Sequence, residues 1–474
     1  MVGDDVLFLS VTELSREIRA RRLSPVELTH SYLRRIKWFN ERLNAFTTVT
    51  AELALEQARA AEREIQAGRW RGPLHGVPYG AKDLLATATA PTTWGAAPCR
   101  TQTFGRDATV IRKLREAGAV LLGKCAMIEF AGGLGYRFAN ASLDGPSRNP
   151  WGTDRWTGGS SSGSGAAVAA GLCGFAIGTE TWGSILCPSA FCGVTGVRPT
   201  YGRVSRAGAM VCSYTFDKIG PLARSAEDCA AVLQAIAGPD PGDASASNEP
   251  LRLAGRVPRP ISKLRAALVK MDYSKGGQPE AGAAFDAAVA ELRAMGMRLT
   301  DATLPAIPAA EAAGLLITAE ALSAFEPFYR DGRVKGLRDV YAPHQPEINA
   351  AATGADLVKA WRIRVKAQEA MAEFFSRFDV LVTPNFLSVA PPVTQDLYEA
   401  LPYGDPVGAF GNLCGLPSVG LPCGFGRARM PVGFQVMGAP YDEATILDVA
   451  EAWQKRTGFH RERPPLRESP ATAR

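Results

Sequence analysis

Between Trp156 and Val197 the chain reads WTGGSSSGSGAAVAAGLCGFAIGTETWGSILCPSAFCGVTGV, crowded with glycine, alanine and hydroxyl side chains and carrying a single charge, Glu180. Such a segment forms a buried floor on which a serine can act as a nucleophile. It must have a base to take its proton and fixed dipoles to hold the oxyanion that follows. Glycine can expose those dipoles: Gly158-Gly159 and Gly163-Ser164-Gly165 are expected to leave amide N–H groups free to face an anion. Another serine, Ser184, sits at a second glycine turn, Thr179-Glu180-Thr181-Trp182-Gly183-Ser184.

Other readings of the stretch fail on residue chemistry. A membrane span needs about 20 predominantly apolar residues, whereas this stretch lacks charge because of glycine and serine. A P-loop needs Lys-Ser or Lys-Thr after its last glycine; neither follows, and no G-x-G-x-x-G occurs. Gly159-Ser160-Ser161-Ser162-Gly163 does fit the G-x-S-x-G elbow, with Ser161 as nucleophile. That elbow follows a hydrophobic strand, and Thr153-Asp154-Arg155-Trp156-Thr157 is not one.

The base is scarcer than the nucleophile. Of the four histidines, His30, His75, His344 and His460, only His344 lies at a position suited to a Ser-His-Asp arrangement. A lysine can serve if it is neutral. Free lysine has a pKa of about 10.4, so this requires burial or cationic neighbours. Lys82 follows the turn Gly76-Val77-Pro78-Tyr79-Gly80 and is flanked by apolar residues, whereas most other lysines and arginines lie on amphipathic faces.

The order G-V-P-x-x-x-K-D, G-G-S-S, G-T-x-T-x-G-S and P-S-A-F-C-G-V-T-G-V-R-P-T-Y-G-R-V-S-R-x-G resembles the amidase signature family of Ser-cisSer-Lys hydrolases. The family lysine falls on Lys82, the bridging serine on Ser160 and the nucleophile on Ser184; their separation of 24 positions matches the family and selects Ser160 over Ser161 and Ser162. Leu121-Leu122-Gly123-Lys124, Arg148-Asn149-Pro150-Trp151, Asp217-Lys218-Ile219-Gly220-Pro221 and Asn412-Leu413-Cys414-Gly415-Leu416-Pro417 extend the likeness over nearly the whole chain, most weakly between 240 and 410.

The resemblance implies an α/β fold: a single large domain over 1–474, with a central mixed β-sheet covered by helices on both faces. It also implies a core motif region over 70–230 and a variable substrate-pocket region over about 240–410. At the site it implies a cis peptide bond at Ser160, an oxyanion hole built from the backbone of Thr181, Trp182, Gly183 and Ser184, and neither metal nor cofactor. Gly132, Gly133, Leu186, Arg206 and Phe386 are candidate substrate-binding positions, and Phe325, Phe328, Tyr329 and Leu387 candidate pocket walls.

This chain departs from the family at two positions. Trp182 replaces the usual glycine of the nucleophile turn and is expected to narrow the pocket; Leu186 stands where relatives that take carboxylated substrates tend to carry arginine. A carboxylate there would lack its bidentate partner, with Arg206 the first candidate to replace it. The expected substrate is therefore a neutral, partly apolar small molecule, an aryl or alkyl amide or a carbamate. The alternative is the glutaminase subunit of a tRNA-dependent amidotransferase, which Gly123-Lys124 and Glu129-Phe130 also resemble.

The elements that must position these residues are legible in outline. Ser10-Val11-Thr12-Glu13 and Ser24-Pro25-Val26-Glu27 match helix-capping boxes, the second with proline at the first helical position. AAVAAG after Gly165 and the alanine-rich runs Ala283 to Ala294 and Ala309 to Ala324 read as helices; Phe175-Ala176-Ile177 and Arg265 to Val269 read as strands. A length of 474 residues suggests two or three domains, yet 46% apolar residues and 48 glycines fit one large core with many tight turns. Acidic Asp4-Asp5 and the short Val6 to Leu9 run do not make a signal peptide, so the cytoplasm is expected. Nine cysteines without a CxxC pair point to reduced thiols. A net charge of +6 without a basic tract points away from nucleic acid. No membrane partner is expected, and a homodimer is left open.

Overall fold

The short apolar runs bounded by glycine become strands of one sheet, and the amphipathic and alanine-rich runs become the helices that cover it. The computed structural model describes residues 2–401 and 405–466. Its strands are β1 (Phe46–Val49), β2 (Pro78–Lys82), β3 (Val120–Cys125), β4 (Arg148–Asn149), β5 (Gly152–Trp156), β6 (Phe175–Glu180), β7 (Thr195–Arg198), β8 (Lys218–Ala223), β9 (Arg265–Leu268), β10 (Arg298–Asp301), β11 (Val380–Pro384), β12 (Ser418–Phe425) and β13 (Pro431–Gly438). Apart from the β4–β5 ribbon, all join in the order β1-β3-β2-β6-β8-β7-β12-β13-β11-β9-β10. β3, β2 and β6 run parallel, as do β11, β9 and β10, and the strands between are antiparallel. Every residue of β2, β3, β6, β7, β8, β11 and β13 is buried, the pattern of strands covered on both faces.

Ser10 caps the helix Val11–Arg19 in a complete capping box with Glu13, and Ser24 accepts from the Val26 and Glu27 amides at the start of Pro25–Leu43. The alanine-rich runs form Pro279–Ala294 and Ala309–Ala324. A second apolar cluster joins Ala309–Ala324, Gly354–Arg377 and Gly408–Leu413, with Leu381 of β11 and Met437 of β13. Among the described residues no helix is long and apolar enough to cross a membrane.

One expectation needs correction. The helix after the serine run begins at Ser162, so Gly163 and Gly165 lie inside it and their amides donate to Ala126 O and Ser161 O rather than facing an anion. These glycines serve close packing: a Cβ on Gly163 would lie 2.2 Å from Ala45 O, and one on Gly165 would lie 2.9 Å from Pro188 Cβ.

Candidate active site

Parallel pairing of β2 with β6 sets Ala81 opposite Ile177, which brings Lys82 alongside the Gly178-Thr179 end of its neighbour. Lys82 Nζ lies 2.8 Å from Ser160 Oγ, 2.9 Å from Thr179 Oγ1 and 3.4 Å from Thr179 O. The hydroxyl oxygens of Ser160 and Ser184 are 3.0 Å apart. The Gly159–Ser160 peptide bond is cis. Lys82 and Ser160 are fully buried and Ser184 is 6% exposed. Burial pushes the Lys82 ammonium down to about 7, against the smaller upward pull of Cys212, Asp217 and Glu180. A neutral amine one hydroxyl away from an attacking oxygen is a general base with a route for the proton.

The turn from Glu180 to Leu186 is held by carboxylates on both sides. Glu180 Oε2 accepts from the amides of Ile185 (2.9 Å) and Leu186 (3.0 Å), and Oε1 from Arg198 Nη1 (2.8 Å). Burial raises the Glu180 pKa, but Arg198 and Lys218 outweigh it and keep the carboxyl below its usual range. On the other side Asp217 accepts from Thr181 Oγ1 at 2.6 Å and from the Cys212 and Ser213 amides at 2.8 and 3.0 Å. The result is a strip of amides at Thr181, Trp182, Gly183 and Ser184 with no acceptor among the described residues. Gly183 has φ +78°, and a Cβ there would meet nothing within 4 Å, so the strip opens onto free space.

The sequence does not display that Thr179 holds Lys82, or that Glu180 with Arg198 and Asp217 clamp the turn. Glu180 carried the signal. A lone charge in a stretch that must be buried requires a buried partner, and Arg198 is the first cation downstream of that stretch.

The other candidate positions divide. Leu186 is fully buried at the start of the helix Leu186–Cys192, its carbonyl accepting from Asn385 Nδ2. A Cβ on Gly408 would lie 2.4 Å from Trp182 Nε1, so the indole reaches toward the helix Gly408–Leu413, where a glycine makes room for it. Gly133 faces Cys212, whose sulfur would lie 2.8 Å from a Cβ there, and Gly132 faces the Tyr136 ring. Arg206 is not a free cation. Its guanidinium donates to Tyr214 O, Tyr201 Oη and Ser245 Oγ and lies over the Tyr201 and Tyr214 rings. Phe386 packs on Phe191, Tyr329 donates to Ala342 O, and Leu387 O accepts from the Gln278 amide.

The G-x-S-x-G alternative does not form: Ser161 Oγ is bonded to Thr179 O and N, and His344 is exposed on the turn Ala342–His344. Among the described residues no group of three or more His, Cys, Asp or Glu could hold a metal ion. All nine cysteines are free thiols, eight of them buried.

A mixed sheet that brings a buried lysine to the first of two hydrogen-bonded serines places the protein among hydrolases that act on C–N bonds. The Amidase family model matches residues 27–447, and the chain belongs to that family. It is 37% identical over 495 residues to the A-type subunit of the glutamyl-tRNA(Gln) amidotransferase of Moorella thermoacetica, covering 98% of this chain and 99% of that one. Among solved structures, the native peptide amidase of Stenotrophomonas maltophilia superposes with a TM-score of 0.82 at 31% identity, covering 97% of this chain and 99% of that one. A chain of the vestigial protein complex tied to the evolutionary origins of an s-triazine catabolic enzyme superposes with a TM-score of 0.88 at 29% identity, covering 97% and 100%.

Proposed function

We propose that the chain hydrolyses a neutral, partly apolar amide, or a carbamate with a similar carbonyl, through an acyl-enzyme on Ser184. The observation that carries this reading is the Lys82–Ser160–Ser184 chain, with spacings of 2.8 and 3.0 Å and a lysine whose pKa burial lowers to about 7. Neutral Lys82 accepts the Ser160 proton as Ser160 takes that of Ser184, and Ser184 Oγ adds to the carbonyl carbon. The amides from Thr181 to Ser184 hold the oxyanion, a contact worth about 2.7–4 kcal/mol per donor. As the tetrahedral centre collapses, the proton returns along the same route to the leaving nitrogen. Water, activated by the same base, then releases the acid and frees Ser184.

A neutral substrate is favoured by the apolar, buried Leu186 and by the commitment of Arg206 to the Tyr201–Ser245 region. A substrate carboxylate beside Leu186 would be desolvated without a partner, at a cost of several kcal/mol.

The names of the relatives favour the second reading over the first. On it the chain is the glutaminase subunit of an amidotransferase that acts on glutamyl-tRNA(Gln), supported by 37% identity to a protein of that name over 98% of the chain. One panel separates the two: purified chain against neutral anilides, primary amides, aryl carbamates and glutamine, with and without amidotransferase partner subunits. Turnover of neutral amides by the lone chain supports the first reading. Turnover of glutamine alone, dependent on added partners, replaces it with the second.

A further inference from the structure

A cleft of about 770 Å³ opens beside the site between the Trp94 loop, the helix Ala309–Ala324 and the helix Gly354–Arg377, lined by Trp94, Met210, Val211, Phe325, Phe328 and Trp361 among others. Among the described residues of its lining the one carboxylate or cation is Glu320, which accepts from Ser213 Oγ and from the amide and hydroxyl of Thr215. The walls therefore present mostly apolar surface, and Glu320 is held by hydrogen bonds to neutral donors. Trp361 and Val211 remain 41% and 39% exposed at its mouth, in contrast to the buried aromatics behind them. Large apolar groups left open around a concave, mostly apolar pocket mark a ligand site.

The back wall is packed ring against ring. Phe130 stacks on Phe325 with centroids 4.4 Å apart and meets Phe328 edge-on at 4.9 Å, while the Arg333 guanidinium covers Phe328 at 3.7 Å. Trp94, Phe130 and Ala131 hold φ values of +55°, +47° and +58°. Bulky residues rarely adopt that region, and it persists where surrounding structure over-determines it, often at ligand clamps.

Both sides of the cleft hang from backbone next to the reacting groups. The Trp94 amide donates to Asp83 O, one residue after Lys82, and Trp94 O accepts from the Phe130 amide. On the floor the Met210 amide donates to Leu84 O, and the Cys212 thiol lies against Thr181, the first residue of the free amide strip.

We infer that this cleft is the antechamber of the site and binds the remote part of the substrate, a planar, uncharged aromatic group attached to the scissile amide. The inference rests on the amide-hydrolase reading and names its substrate class. The test uses the full chain and two primary amides, 3-phenylpropionamide and propionamide, with Val211→Asp and Trp361→Ala, both at exposed positions. The ratio of kcat/KM for the aryl over the alkyl amide falls about tenfold in each variant, chiefly through KM, as expected when an aromatic ring loses its apolar contacts. A ratio unchanged within about twofold overturns the inference. So does an unchanged ratio accompanied by a change in solution mass, which would make the cleft a protein interface.

Binding of 3-phenylpropionamide to Ser184→Ala, followed by calorimetry, separates the two readings. If wild type hydrolyses neither amide but this binding is present and is weakened by adding Val211→Asp, the cleft stands and the hydrolase reading falls. If no saturable binding is seen, the cleft assignment falls.

Discussion

The floor under Ser184 and the wall around Phe328 stand side by side and are built by opposite means. On the floor the polar groups are buried and interlocked: Lys82 on Ser160 and Thr179, Glu180 on Arg198 and two amides, Asp217 on Thr181 and two more. In the wall the contacts are mainly ring on ring, with Arg333 over Phe328, and Glu320 is taken up by Ser213 and Thr215. Removing one member of a buried, bonded charge pair costs about 3–5 kcal/mol, whereas volume-conserving apolar swaps usually cost under about 1.5 kcal/mol. The floor is therefore bound to particular residue types, and the wall can change its residues while keeping the fold. One scaffold can thus keep its chemistry and vary what it accepts.

Replacing Ser184 should have the largest effect. Ser184→Ala is expected to lower turnover by at least about 10⁴-fold and to abolish acyl-enzyme formation. Ser161→Ala should retain most activity, with a stability loss of about 1–3 kcal/mol because Ser161 Oγ is buried and bonded to Thr179. Mass spectrometry of a phosphonate-treated sample decides the point, since an adduct on Ser161 would reverse the assignment. Next in size is Lys82→Ala, with a loss of about 10²–10⁴-fold. Lys82→Arg should not restore activity, because a guanidinium stays protonated. An active arginine variant would remove the neutral-lysine base.

Glu180→Gln tests the floor through stability. It leaves the Arg198 charge buried without its partner and weakens the acceptor for the Ile185 and Leu186 amides. A loss of about 3–5 kcal/mol is expected in urea unfolding, together with a fall in kcat as the amide strip loosens. A variant as stable as wild type would mean that the clamp has been misread.

The pH profile probes the same floor without mutation. The active form of Lys82 is the neutral one, and its pKa lies near 7, so kcat/KM should be low in acid and rise with pH to a plateau. At pH 6 it should reach about one tenth of the plateau value. A midpoint near that of free lysine, about 10.4, would contradict the burial argument.

The difference between the regions also explains what could be read from sequence. Lys82, Ser160 and Ser184 lie far apart in the chain, yet each sits in a short run of glycine and apolar residues whose types suit one chemistry. The fold class and the helices at Val11–Arg19 and Ala309–Ala324 follow from motif and periodicity. Glu180, the lone charge of its stretch, calls for a buried partner, but the meeting of Glu180 with Arg198 and of Asp217 with Thr181 depends on how the strands pair. Arg206 stands out in the sequence as a charge, whereas its neighbours Tyr201, Tyr214 and Ser245 gather around it only in the fold. Gly163 and Gly165 were misplaced for a related reason: tight helix packing and a loop that binds an anion ask for the same residue.

Trp182 joins the floor to the second apolar cluster, and it gives the smallest expected effect. Its backbone belongs to the amide strip, while its indole packs on the helix Gly408–Leu413 and the second apolar cluster. If the floor works through backbone alone, Trp182→Gly should keep the N–H in place and change kcat by no more than about threefold, far less than the loss of an oxyanion donor. The missing indole should lower stability by about 1–3 kcal/mol through lost apolar contact, measured as a lower urea midpoint. Gly408→Ala should perturb the same joint from the other side, because its Cβ would meet both Trp182 Nε1 and Asp405 Oδ2 within 2.5 Å. A fall in kcat of about 100-fold or more in a well-folded Trp182→Gly variant would show that the indole itself touches the reacting groups. The chemical floor would then extend beyond the backbone to a side chain of the nucleophile turn.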